Sequence, residues 1–182
     1  MRFIAAAIIA LSLGCHGVDG EKRAAGGDAG AGRAAASIPD AAKLPCGLLS
    51  REEVQTAVGY PVADPLVVNE TECLYSPQEQ RRMSYTNIEM HWKDGREELE
   101  AARSAIRIVT RRVEKDAPEI DPSEIVDGET VPALADDAFF SLAGVMPFLY
   151  VRKGDVAFTI EGYGETKEQM IAVARVVVAK LP

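Results

Sequence analysis

Histidine, cysteine and basic charge are all scarce in this chain. Its 182 residues hold two histidines and three cysteines, and only His91 lies in the part of the sequence patterned like a folded domain. A zinc site ordinarily takes three or four protein ligands, so His91 has no second histidine to work with. Lys and Arg total 20 against 28 Asp and Glu, for a formal charge of -8. That balance argues against nucleic acid as a partner and against a polybasic membrane-binding surface. The Arg81-Arg82 and Arg111-Arg112 pairs are too isolated to alter it and read as solvated charge. No Gly-x-Ser-x-Gly elbow is present. Gly162-Tyr163-Gly164 follows a strand and precedes a helix, yet it lacks the further glycine and the parallel βαβ setting of a dinucleotide site. No cofactor is expected.

What is present begins at the N-terminus. Met1-Arg2 precede an apolar stretch from Phe3 to Leu13, then Gly14 and Cys15. A basic start, a short apolar run and a small residue before the cut are the parts of a secretory signal. The run falls short of the roughly 20 residues a membrane-spanning helix needs, so residues 1–14 are read as a leader to be removed. Leu11-Ser12-Leu13-Gly14-Cys15 resembles the lipobox of bacterial lipoproteins, in which the cysteine thiol carries fatty chains such as palmitate and becomes the new N-terminus. Ser12 and Leu13 depart from the commonest form, and the simpler alternative is a plain secretory signal with an incidental Cys15. Several acyl chains hold a protein on a membrane where one gives only marginal binding. His16 stands where Asp would resemble an inner-membrane retention signal, so in a host with two membranes the outer one is favoured.

Residues 15–43 are Gly, Ala and scattered charge. They offer almost nothing large enough to bury and cannot offset the entropy of ordering. Such a tether spans about 30 Å on flexible-coil scaling. Residues 44–182 then have the length of one ordinary domain. Loss of the leader removes Arg2 alone from the ionised side chains, taking the formal charge from -8 to -9.

If Cys15 is consumed by the anchor, Cys46 and Cys73 remain as an even pair in an oxidising compartment. A disulfide between them is expected, worth about 3 kcal/mol through loop closure; the alternative is two buried free thiols.

Ser50 with Glu53 forms a capping-box signature, and Leu49 with Val54 a hydrophobic staple, predicting a helix over 51–58 that Gly59 and Pro61 stop. Strands are expected at 66–69 and 73–76. Across 84–92 alternation puts Ile88, Met90 and Trp92 inward and Tyr85, Asn87, Glu89 and His91 outward. A long amphipathic helix follows from about 95 to 113, with Leu99, Ala102, Ile106, Val109 and Val113 as its apolar stripe. The acidic stretch 114–129 links two halves, and Pro118 and Pro122 forbid a regular helix through it. Strands at 138–142, 148–152 and 156–163 and a helix over 167–181 complete the chain. Thr166 and Gln169 should cap that last helix, and Met170, Ala174, Val177 and Leu181 should form its buried stripe. Connections this short favour antiparallel pairing. The expected fold is therefore α+β, a mainly antiparallel sheet with helices packed on one face. Its two halves, each strands followed by a helix, allow a duplication.

Candidate chemistry is sparse. His91 and Glu89 share a strand face with Tyr85, and such a His/carboxylate pair can do acid-base work; an ordinary solvated sheet face explains the same residues. The carboxylates of 114–129 lack the regular spacing of a calcium loop and read as a solvated connector, with no metal bound.

Pro45-Cys46-Gly47-Leu48-Leu49, then Gly59-Tyr60-Pro61-Val62 and Glu72-Cys73-Leu74-Tyr75, resemble an uncharacterised family of bacterial lipoproteins, a domain of unknown function that opens with Cys-x-Leu-Leu and has a later Cys-x-aromatic. Leu134-Ala135-Asp136-Asp137-Ala138-Phe139-Phe140 and Val151-Arg152-Lys153-Gly154-Asp155 fit its pattern too. The resemblance covers most of 45–182. It implies pairing of the two cysteines and an exported α+β domain, and it assigns no residue a role in any activity. The expectation for function is a lipid-anchored extracytoplasmic binding or interaction module of the cell envelope. Its partners would be the membrane through its lipid, and an envelope protein or small ligand. The alternative is an envelope enzyme or enzyme accessory whose carboxylates, Glu89 or Asp136 and Asp137, line a cleft.

Overall fold

Ser50 accepts a hydrogen bond from the backbone N–H of Glu53 while the Glu53 side chain accepts from Ser50 N–H. This reciprocal cap starts the helix where the sequence places it. The computed structural model of the chain describes residues 44–79, 83–116, 125–143 and 146–182. The leader 1–14, Cys15, the tether, the Arg81-Arg82 pair and the Pro-containing part of the acidic stretch lie outside the described residues.

In chain order the elements are α1 (Pro45–Leu48), α2 (Arg51–Val58), β1 (Leu66–Asn69), β2 (Glu72–Tyr75), β3 (Tyr85–His91), α3 (Gly95–Asp116), β4 (Ile125–Thr130), β5 (Asp137–Ala143), β6 (Met146–Lys153), β7 (Val156–Tyr163) and α4 (Lys167–Lys180). Among the described residues seven strands form one sheet in the order β1-β2-β3-β7-β6-β5-β4. Every neighbouring pair is antiparallel. The fold is α+β, as the short connections require.

The helices occupy both faces of the sheet, which corrects the expectation of one. On one face Ile88, Met90, Leu149, Val151, Phe158 and Ile160 bury against Met170, Val173, Ala174 and Val177 of α4, together with Val54 and Val58 of α2. On the other, Leu99 of α3 packs with Phe139 and Ala157, and Ala102, Ile106 and Tyr150 close around them. The reason is visible in β5. Ala138, Phe139 and Phe140 are consecutive and all buried, and a strand without alternation is one covered on both sides.

The same placement keeps the two halves from being related by a two-fold axis. A two-fold that exchanges β3 with its antiparallel neighbour β7 must stand perpendicular to the sheet, and such an axis keeps each helix on its own face. α3 and α4 lie on opposite faces, so that operation does not relate the halves.

Two smaller corrections concern α3 and β4. Val109, assigned to the buried stripe of α3, is 51% exposed, and the side chain of Val113 lies outside the described residues. Part of the acidic connector is a strand, β4, paired to β5 with a break in register between Val126 and Glu129. That irregularity spoils the alternation by which a strand is recognised.

Cys46 and Cys73 sit at disulfide distance, their Cα atoms 5.3 Å apart, fastening α1 to β2. Lys180 at the end of α4 donates to Leu48 O and to Glu53 Oε2, both at 2.6 Å. Lys153 donates to Val178 O at 3.0 Å and Leu181 O at 2.7 Å, satisfying carbonyls that a helix C-terminus leaves without intrahelical donors.

Candidate functional site

Because α3 runs from the β6–β7 turn across the half of the sheet built from β4 to β7, the half built from β1 to β3 has no helix on that side among the described residues. Alternation in β3, β6 and β7 fills the uncovered face. Cross-strand registers put Glu72 opposite Glu89, Glu89 opposite Thr159 and Thr159 opposite Tyr150 in one row. The next row is Leu74, Asn87, Glu161 and Phe148, and Tyr85 pairs with Tyr163 beyond it.

Aromatic rings form the floor. Phe148, Tyr150 and Phe139 stack in series, with centroids 6.1 Å and 4.6 Å apart. Arg103 closes the far end, its guanidinium 4.4 Å from the Phe139 centroid and 2.6 Å from Asp137 Oδ1. Burial raises the Tyr150 phenol above its ordinary pKa, helped by the negative charge of Glu161 and Glu89. Tyr85 stacks on Tyr163 at 5.8 Å and donates its hydroxyl to Glu161 Oε1. Desolvation, then that hydrogen bond, then the nearby charges of Glu161 and Tyr163 push the Tyr85 phenol up to about 12.

Two depressions open on this floor. One, of about 140 Å³, is lined by Asn87, Glu89, Phe148, Tyr150, Thr159 and Glu161. The other, of about 350 Å³, lies where α3 meets the sheet, and Glu89, His91, Glu98, Leu99, Ala102 and Tyr150 are among its walls. His91 stands between two carboxylates, with Nε2 3.7 Å from Glu89 Oε1 and Nδ1 3.8 Å from Glu98 Oε2.

Sequence alternation thus places Tyr85, Glu89 and His91 on one outward face, and the structure brings Glu89 and His91 together. It does not bring Asp136 and Asp137 to them as a cleft. Asp136 accepts from Gly154 N–H at 2.7 Å and lies 3.6 Å from Arg152, and Asp137 is held by Arg103. Glu98, Tyr150, Thr159 and Glu161 went unread. For Thr159 and Glu161 the signal is the exchange with Phe158 and Ile160 in β7; Tyr150 lies in the unbroken apolar run Phe148-Leu149-Tyr150-Val151, which assigns it no side, and only the sheet order puts all three near β3. A buried network on the other face was also unread: Tyr60 donates to Glu165 and accepts from Ser84 Oγ at 3.3 Å.

Among the described residues no three His, Cys, Asp or Glu side chains converge to hold a metal ion. No helix among them is long and apolar enough to cross a membrane. Gly162, Tyr163 and Gly164 close β7 in an antiparallel sheet, a setting unlike that of a dinucleotide-binding turn. Compared with known proteins, the chain matches no family model, no curated protein and no solved structure.

Proposed function

We propose that the chain is a lipid-anchored extracytoplasmic binding module of the cell envelope, and that the uncovered sheet face beside α3 is its ligand surface. The single observation that carries the binding reading is the trough there: two adjoining depressions with an aromatic floor and carboxylate walls. Concave sites lined by aromatic side chains with a few placed polar groups are where small ligands bind. Support for the address comes from the leader, from Cys15 in its lipobox-like setting, and from the Gly/Ala tether that follows. A cysteine pair at disulfide distance accords with an oxidising compartment, and the resemblance to bacterial lipoproteins points the same way.

Two measurements test this. Full-length protein expressed in a bacterial host should partition with envelopes and carry acyl mass on Cys15, and Cys15→Ser should release it to the soluble fraction. Thermal-shift screening against low-molecular-weight envelope extract should raise the unfolding temperature of the parent and leave Glu89→Gln unmoved. A substrate screen that finds turnover abolished by His91→Ala would replace the module with the alternative, an envelope enzyme.

A further inference from the structure

We infer that the trough takes a small linear polyamine, a flexible aliphatic chain bearing two or more ammonium groups. The inference deepens the binding reading above and rests on it. Three features select this ligand.

The first is shape. The two depressions share Glu89, Tyr150 and Thr159, so they form one elongated channel. A compact ion would fill only part of it.

The second is the order of chemistry along the channel. Glu161 stands in one depression, Glu89 at the junction, and Glu98 in the other. Between and beneath them lie apolar groups: the rings of Phe148 and Tyr150, then Leu99, Ala102 and Ala105. Carboxylates separated by apolar surface complement ammonium groups separated by methylenes. Cations are also attracted to the faces of aromatic rings. A divalent metal ion needs converging oxygens instead, and these carboxylates do not converge.

The third is a shortage of cationic partners. Among the described residues no Lys or Arg lines either depression, and His91 is the one basic side chain in their walls. Glu89 and Glu98 keep side-chain exposures of 50% and 47% beside it, leaving both open to an incoming cation. An ammonium group brings three donors and no acceptor, which suits carboxylates left this exposed.

The test is isothermal titration calorimetry of the full-length chain in detergent, with spermidine as titrant. Parallel arms use magnesium chloride at matched ionic strength, and the variants Glu89→Gln, Glu161→Gln and Glu168→Gln, the last an exposed residue of α4 on the opposite face. The expected result is saturable spermidine binding that magnesium does not reproduce. It should weaken about ten-fold or more in each of the first two variants, the scale of losing one charged hydrogen-bond partner, and stay unchanged in the third. Absence of saturable heat, equal binding by Glu89→Gln and Glu161→Gln, or equal competition by magnesium would overturn the inference. If spermidine fails while another compound still raises the unfolding temperature in a Glu89-dependent way, the polyamine falls and the binding module stands.

Discussion

Tyr85 and Glu161 meet across the β3–β7 pair, the phenol of one donating to the carboxylate of the other. Desolvation and this bond raise the Tyr85 pKa to about 12. A folded-state pKa above the unfolded value of about 10 makes a contribution to stability that is complete below pH 10 and is lost as pH rises towards 12. Spectrophotometric titration should therefore show late-ionising tyrosine absorbance, to which Tyr75 and Tyr150 also contribute because burial raises both, and the part lost in Tyr85→Phe identifies the Tyr85 phenol. In Glu161→Gln that group should move part of the way back toward 10, since burial is the largest cause of the shift and survives the substitution. A tyrosine titration curve identical in parent and variant would refute the assignment.

How far this face was legible depends on what alternation can and cannot encode. In β3 the strict exchange of Thr86, Ile88 and Met90 with Tyr85, Asn87 and Glu89 reads directly as inward and outward, and the structure agrees. Period-two patterning says nothing about which strand lies beside which. The approach of β7 to β3, which delivers Thr159 and Glu161 to the trough, is a long-range pairing invisible in either segment. The caps were legible because they are local: Ser50 with Glu53 and Thr166 with Gln169 each lie within one helical turn. The second covered face was written in the Ala138-Phe139-Phe140 run. α3 alone concealed it, since an amphipathic helix declares that it has a partner without declaring on which side of the sheet.

Cys46 and Cys73 sit at disulfide distance across a sequence separation of 27 residues, and a bond closing that loop is worth about 3.5 kcal/mol in the chain-entropy description. The double variant Cys46→Ala/Cys73→Ala should lose about that much in urea unfolding. Reductant should lower the midpoint of the parent by a similar amount and leave the variant unmoved. A parent indifferent to reductant would mean that the bond contributes nothing.

Lys180 joins the end of α4 to Glu53 Oε2 and to the carbonyl of Leu48. Its hydrogen bond is the largest of the influences holding the Glu53 carboxyl below its ordinary value of 4.5, followed by the bond from Ser50 N–H. A depressed folded-state pKa contributes stability that is present above 4.5 and lost as pH falls through the lower folded value. Lys180→Met should cost about 1–2 kcal/mol near neutrality, from a half-exposed ion pair and a carbonyl left without its donor. Below pH 4.5 the ion-pair share of that gap between variant and parent should shrink. Urea midpoints of the two proteins measured across the acid range would expose the opposite behaviour if Glu53 titrated normally.

Gly95 sets the position of α3, and through it the larger wall of the trough. Its N–H donates to Asp155 O at 2.9 Å, locking the first residue of the helix onto the β6–β7 turn. A Cβ at this position would stand 2.7 Å from Asp155 O, 2.8 Å from Ala157 N and 2.8 Å from the carbonyl carbon of Val156. All three are backbone atoms of a tight hairpin, so neither a rotamer change nor a flexible side chain can relieve the contact. Alanine, ordinarily the better helix former by about 1 kcal/mol, should here destabilise by roughly 1–3 kcal/mol, the range for overpacking. Gly95→Ala should also lift α3 from Ala157 and speed amide exchange in β7 at that end, with no change at the α2–α4 face. A variant as stable as the parent would mean that the helix start can slide along the turn, and that α3 is not held where the trough requires it.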